Sequence, residues 1–412
     1  MDREVFTLDW QRDFAKNNEM TLSLNGTQLY SKYKPKEGAL NWIQSEIDLD
    51  AEKYVLIGLG LGYHLEHLLN LVGDKKVYVY YFDEVELSIF LEIQCKNVFR
   101  YENVELRNEI KDLTLNEKMQ ILIPNAWIKG IGEKHPLFKA LNVIKINQLS
   151  YRLTKEKMIE NFNSNILSNS DVISNINPKR IGCLVAAGPS LDETVVWLKE
   201  NQDFVDIFVV GAALKTVSKN KIIPTGVVIS DASDLIKRQF DGLKYDGPLY
   251  HLCTANSETI KLMSGKKHIL FQKGFSFAEE AAKKNGSPLI DVGGSVGTVT
   301  FSLLEQLGYQ TIVLFGQDLG FPNDRTHSEN STSNTNVKLK DIKRKLKAND
   351  GSMINTNSML YSFWNWYEEK CQSINIDVLN TASKGAKISN VKLINKMEFE
   401  QLIQKNINQI GD

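Results

Sequence analysis

The chain has 412 residues, 42% of them apolar and 24% charged, with 49 basic against 50 acidic side chains and a formal net charge of −1. That length exceeds a single hydrophobic core and predicts two or three domains; the composition excludes disorder as the main state. A near-zero net charge excludes a global attraction to nucleic acid or to an anionic membrane, so neither is an expected partner and any anion must be bound locally.

Four cysteines, Cys95, Cys183, Cys253 and Cys371, show neither CxxC nor Cys/His ligand spacing. This predicts a reducing compartment and no zinc site. The start "MDREVFTLDWQRDF" lacks a basic segment followed by an apolar one, and no apolar run of about 18 residues occurs, so a cytoplasmic protein is expected.

In chain order, residues 1–145 open with alternating segments such as "MTLSLNGTQLYS", read as strands or hairpins. "KYVLIGLGLGYHLEHLL" followed by "KKVYVYYFDEVE" has the β-turn-α-β order of a Rossmann-like α/β domain. Gly58, Gly60 and Gly62 permit a tight turn, and Asp83 or Glu84 falls where a ribose hydroxyl is often held. The spacing is GxGxG rather than GxGxxG, which favours a structural unit over a methyltransferase or dinucleotide site. Residues 146–176 are polar, with spaced apolar positions and no glycine, and the expectation there is a connecting helix.

Residues 177–330 alternate apolar runs with helical patterns, and each run ends in small or polar residues: "IGCLVA" in "AGPS", "GVVI" in "SDAS", "PLYHLC" in "TAN", "SPLIDV" in "GGSVG", "TIVLF" in "GQDLG". Near-continuous apolar strands predict a parallel sheet covered on both faces, with the ligand beyond the carboxyl ends of its strands. Residues 331–412 read as a mostly helical C-terminal region packed on this domain, its Lys/Arg run "VKLKDIKRKLK" a solvated face and Trp364 and Trp366 in the core.

The candidate site residues lie at those strand ends. Gly188, Pro189 and Ser190 stand at a helix start; they form either a phosphate cradle or a turn in which Ser190 caps the helix. Gly294, Ser295 and Thr298 form a second glycine turn before an amphipathic helix, and two such turns on one edge predict a nucleotide site. Neither carries the GK[ST] of a P-loop, which argues against ordinary ATP hydrolysis. Asp231 and Ser233 in "VISDAS" suggest a buried carboxylate with a role. Thr254 and Asn256 end another strand; Gln317 and Asp318 follow the last. His327, on a polar loop just past it, is either a general base or a bystander.

Taken in order, "VAAGPSLDET", "GVVISDAS", "DVGGSVGTVTFSLLEQLGYQTIVLFGQDLGF", "THS" and "DVLNTASKGAKI" resemble the Maf family, the motility-associated factors of flagellated bacteria. The resemblance implies transfer of a nonulosonic acid, of sialic, pseudaminic or legionaminic type, from a CMP-activated donor to Ser or Thr of flagellin, with no metal or other cofactor required. It also implies a central domain similar to bacterial sialyltransferases, with Gly188, Pro189, Ser190, Gly294, Ser295 and Thr298 on the nucleotide, Asp231 near the ribose or sugar, and His327 as base in an inverting reaction. Two positions depart from the sialyltransferase pattern: Ala187 stands where Asn is usual, and "NTASKGA" replaces a motif closer to "NATEGG", which bears on Ser383 and Lys384. Three alternatives remain open: a related 6-hydroxymethylpterin pyrophosphokinase, with ATP and with magnesium on Asp231 and Asp318; a non-catalytic flagellin-binding factor; and methyl transfer by residues 54–84.

Overall fold

The computed structural model describes residues 7–94, 102–108, 119–173, 178, 180–335, 337, 342 and 344–411. The chain divides into two compact units, Met1–Leu149 and Ser150–Asp412.

The first unit begins with an antiparallel sheet, β1 (Trp10–Phe14), β2 (Met20–Leu24) and β3 (Thr27–Gln28), the hairpin expected from "MTLSLNGTQLYS". Then come α1 (Pro35–Glu46), β4 (Lys53–Ile57), α2 (Tyr63–Val72), β5 (Lys76–Tyr80), α3 (Glu84–Gln94), β6 (Val104–Arg107), β7 (Met119–Leu122) and α4 (Asn125–Ile131). The four later strands form a parallel sheet in the order β6-β5-β4-β7. Separate apolar clusters form around Val55 and Ile57 and around Tyr54 and Leu56, as alternating side chains of one strand require.

Helix α5 (Pro136–Asn165) follows, and the division between the units falls within it. It starts ten residues earlier than the expected connecting helix and ends before β8 (Asp171–Val172); residues 174–177 lie outside the described residues.

The second unit continues with β9 (Ile181–Val185), α6 (Leu191–Asn201), β10 (Val205–Val210), α7 (Leu214–Lys219), β11 (Gly226–Ile229), β12 (Leu249–Leu252), α8 (Ser257–Leu262), β13 (Lys267–Gln272), α9 (Ser276–Asn285), β14 (Leu289–Ile290), α10 (Val296–Leu307) and β15 (Thr311–Phe315). The C-terminal part adds a hairpin, β16 (Arg344–Lys347) and β17 (Met353–Thr356), then α11 (Ser358–Ser373), β18 (Asp377–Asn380), β19 (Lys392–Leu393) and α12 (Lys396–Gly411).

The main sheet runs β14-β13-β12-β11-β10-β9-β15-β18-β19, with β8 on β13, and every pairing in it is parallel. All five residues of β9 are buried, the pattern of a strand covered on both faces. Residues beyond 331 thus supply two strands of this sheet besides helices, because β18 pairs with β15. Most of "VKLKDIKRKLK" before β16 lies outside the described residues, as does Cys95; Cys183, Cys253 and Cys371 are buried free thiols. Among the described residues no helix is long and apolar enough to cross a membrane.

Candidate functional site at the switch point of the sheet

The chain moves outward from β9 to β14 in one direction and returns as β15 on the other side of β9. The carboxyl ends of β9 and β15 therefore flank the topological switch point, where open α/β sheets bind ligands. Three segments meet there: the Gly188 amide donates to the Gly316 carbonyl (2.8 Å), the Thr381 amide to Leu314 (3.1 Å) and the Ala386 amide to the Asp318 carbonyl (2.8 Å).

Asp318 sits at the centre, 2% exposed. Its Oδ2 accepts from the Ser190 amide (3.1 Å) and the Ser190 hydroxyl (2.9 Å). A Cβ on Gly188 would collide with that oxygen, so glycine is required by close approach. Burial pushes the Asp318 carboxyl up to about 6, against the Ser190 donors that favour the anion and with nearby Glu193 and Asp192 adding to the rise. Its Oδ1 is buried with no hydrogen-bond partner among the described residues.

Both sequence readings of this turn need correction. Ser190 makes no side-chain cap. The phosphate reading of Gly188, Pro189 and Ser190 needs free amides, but the Ser190 amide is spent on Asp318, and those of Leu191, Asp192 and Glu193 bond back to Gly188, Pro189 and Ser190 carbonyls. A carboxylate of the chain itself stands at this helix end.

The second glycine turn is different. Ser295 caps α10: its Oγ accepts from the Thr298 amide (3.1 Å), and its own amide donates to Thr298 Oγ1 (3.2 Å). No acceptor among the described residues takes the Val296 or Gly297 amide, so the positive end of a 12-residue helix keeps two free donors. Gly294, exposed and at φ 88°, occupies the left-handed region that favours glycine. Gln317 reaches this end: its Oε1 would lie 2.6 Å from a Cβ on Gly297 and has no partner among the described residues, though the residue is only 7% exposed. Residues 317 and 318 thus stand between the first turns of α10 and α6.

His327 is clamped beside the turn after β9. The Ser328 amide donates to the Ala187 carbonyl (2.8 Å), and the Ser328 and Thr216 hydroxyls are 3.0 Å apart. Arg325 bonds Asp192 Oδ2 (2.6 Å), and the Glu329 amide bonds Asp192 Oδ1 (3.2 Å). The imidazole is half-buried with Nδ1 unpartnered among the described residues; burial lowers its pKa, opposed by the backbone of Ser333.

Asp231, Ser233, Thr254 and Asn256 form a separate cluster. Asp231 is exposed, not buried as its strand-end position suggested, and accepts from the Ser233 amide (2.8 Å). The Asn256 amide donates to the Asp231 carbonyl (2.9 Å), while its side chain caps α8 and donates to Asp234. Thr254 donates to Gln272 (2.8 Å). Asp231 follows β11, which is three strand positions from β15 in the sheet order; at about 4.8 Å per strand that separates the two strand ends by roughly 14 Å. One magnesium ion shared by Asp231 and Asp318 does not fit that spacing, since its ligands bind at about 2.1 Å. Among the described residues there is no group of three or more His, Cys, Asp or Glu able to hold a metal.

Residues 156–324 match the family model of the MptE-like 6-hydroxymethylpterin diphosphokinases. The match takes in both glycine turns and Asp318 and stops three residues before His327. Among solved structures, the Maf glycosyltransferase from Magnetospirillum magneticum AMB-1 aligns with 98% of this chain and 74% of its own, at a TM-score of 0.51 and 13% identity. The fold is Maf-like. No curated protein matches the chain.

In this Maf-like, glycosyltransferase-like fold the N-terminal Rossmann-like unit is filled by its own side chains. Glu86, fully buried, accepts from the Gly60 amide (2.7 Å), the Phe82 amide (2.7 Å) and Trp127 Nε1 (3.3 Å). The Trp127 indole occupies the space a Cβ on Gly58 would need, and Tyr30 accepts from the Leu61 amide (3.0 Å). Asp83 accepts from Trp10 Nε1 (3.0 Å) and the Glu86 amide (2.8 Å). These contacts support the structural reading of "GLGLG" that its spacing favoured.

Asn161 and Asn165 escaped the sequence reading, and Trp366, expected in the core, has a different place. Trp366, half-buried and edge-on to Phe301 (5.8 Å), lies against Gly293 and so backs the second glycine turn. Asn161 donates to the Ala232 (3.0 Å) and Thr254 (3.2 Å) carbonyls and accepts from the Ser257 amide (3.1 Å). Asn165 donates to the Cys253 (3.0 Å) and Ala255 (2.7 Å) carbonyls. The available signal was their spacing of four, which puts both on one face of α5.

Proposed function

We propose that the chain is a glycosyltransferase that moves a nonulosonic acid from a CMP-activated donor to Ser or Thr hydroxyls of flagellin in the cytoplasm, in support of flagellum assembly and motility. The observation that carries this reading is His327 Nδ1, which has no partner among the described residues, on a loop clamped at the switch point of a sheet whose edge also holds two helix amides left free. The Maf-like fold and the ordered motifs "GPSLDET", "SDAS" and "THS" support this choice of substrate class.

In the reaction, neutral His327 takes the proton of the acceptor hydroxyl as its oxygen attacks the anomeric carbon. The bond from that carbon to the phosphate oxygen breaks, and CMP leaves with the electron pair. A lowered pKa keeps the imidazole unprotonated near neutrality, the form a base requires. Because the Ser190 amide is committed to Asp318, stabilisation of the departing phosphate falls to the Val296 and Gly297 amides and the dipole of α10. Inversion at the anomeric carbon follows from this single displacement.

Intact flagellin mass from cells carrying wild type or His327→Ala tests the assignment. The variant should fold and bind CMP but leave flagellin without the glycan; an unchanged glycan mass removes His327 from the mechanism. The match of residues 156–324 favours a second reading, transfer of diphosphate from ATP to a hydroxymethylpterin. Calorimetry separates the two: CMP binding without ATP–magnesium binding supports the sugar transferase, and the reverse supports the pterin enzyme.

A further inference from the structure

Asp318 is buried, and three chain segments close on it. Its carbonyl receives the Ala386 amide, its Oδ2 receives both donors of Ser190, and a Cβ on Gly385 would stand 3.1 Å from its Cα. Such packing fixes the carboxylate in one orientation. In that orientation Oδ1 is left without a donor, although buried acceptors are normally paired. Gln317 Oε1, on the preceding residue, is likewise a buried acceptor without a partner among the described residues.

The electrostatics at this end of α6 are acidic. Asp192 and Glu193 lie in its first turn beside Asp318, and Arg325 is paired with Asp192. An arriving phosphate would meet like charge and no free amide. A hydroxyl or amine would meet a free acceptor, Oδ1.

We propose that Asp318 is a ligand-contacting residue whose free Oδ1 accepts a hydrogen bond from an uncharged donor of a nucleoside, a ribose hydroxyl or a base amine, and that the turn after β9 binds no phosphate. This rests on the reading above that a nucleotide occupies this sheet edge. It divides the nucleotide between the two helix ends: the nucleoside lies against Asp318, and the phosphate at the first turn of α10.

Calorimetry on the full chain tests it, with cytidine and CMP as probes and adenosine and ATP in parallel. Asp318→Asn keeps an oxygen for Ser190 and turns the free acceptor into a donor; it should weaken cytidine and CMP by the same factor, about ten- to a hundredfold. Weakening of CMP with cytidine unchanged would put the phosphate on this turn and overturn the proposal. So would no change in either.

Should Asp318→Asn fail to fold, the ligand side gives the answer with wild type. One of 2′-deoxycytidine, 3′-deoxycytidine and N4,N4-dimethylcytidine should bind at least tenfold more weakly than cytidine, and equal affinities of all three overturn the assignment. Binding of adenosine and ATP without cytidine or CMP sinks the CMP-donor reading alone, and the same comparisons then run on deoxy- and N6-methylated adenosines. A folded wild-type chain that binds no nucleoside overturns both.

Discussion

Replacing Asn161 tests whether α5 holds the strand-end loops of the second unit in place. The side chain is 2% exposed and satisfies three backbone groups, the Ala232 and Thr254 carbonyls and the Ser257 amide. Asn161→Ala strands all three, each worth about 1–3 kcal/mol if unsatisfied. Since loop carbonyls partly rehydrate, the expected loss is about 3–5 kcal/mol. Two residues on, Asn163 is exposed, and Asn163→Ala should stay within about 0.5 kcal/mol.

Asn161→Asp is more specific, because it turns a carboxylate toward two carbonyl oxygens. That raises its folded pKa above the unfolded value, so the folded state holds a proton the unfolded chain releases, and stability falls as pH rises through that window. The deficit relative to wild type should therefore be larger at pH 8 than at pH 5. Urea unfolding at both pH values measures it, with hydrogen exchange of residues 230–234 and 253–257 as the local readout. An Asn161→Ala no more costly than Asn163→Ala would refute the argument.

Two further perturbations probe the buried ionisable groups. His64 lies among Tyr30 (5.2 Å), Trp42 (5.1 Å) and Trp127 (5.3 Å), and burial lowers its pKa to about 3. The unfolded chain then binds a proton that the folded one refuses, so stability is whole above about pH 6.5 and declines as pH falls toward 3, by at most about 5 kcal/mol. His64→Phe should flatten urea midpoints between pH 6 and 4, and an unaltered acid slope counts against it. Gly188→Ala drives a methyl group into Asp318 Oδ2 and the Gly316 carbonyl. Overpacking plus the lost Ser190 bonds should cost about 3–5 kcal/mol, and a thermal midpoint within a degree of wild type would be inconsistent with the lock.

The strands were legible because a parallel strand covered on both faces has to be apolar throughout. "IGCLV", "GVVI" and "TIVLF" are such runs, and each ends at the same sheet edge. The contents of the turns were not legible. Ser190 and Asp318 are 128 residues apart, and their meeting depends on β15 returning to the side of β9 that β10 leaves open. No local pattern encodes that order. The burial of Asp231 was misjudged for a related reason: a strand end sets where a residue stands, whereas the following turn decides whether it faces solvent, and here the Ser233 amide folds back onto the carboxylate. β18 was missed because "DVLN", next to an aromatic helix, is too short to show a period.

Three glycine turns precede helices in the sequence: the spacing of the first favours a structural unit, the second reads as either a phosphate cradle or a helix cap, and the third joins it in predicting a nucleotide site. In two of them the chain supplies a carboxyl acceptor: Glu86, which burial pushes up to about 7, takes the Gly60 amide in the N-terminal unit, and Asp318 takes the Ser190 amide after β9. In both, a glycine stands where a side chain would strike what fills the turn, Trp127 above Gly58 and the carboxylate above Gly188. A carboxylate built into the fold meets the electrostatic demand of a helix start without any ligand, so glycine content alone does not mark a phosphate site. The turn before α10 has a serine–threonine capping box in place of a carboxylate, and that cap leaves the Val296 and Gly297 amides unclaimed. A neutral cap satisfies one amide and keeps the positive end of the helix, so of the three turns only this one retains both the charge and the donors that a phosphate needs.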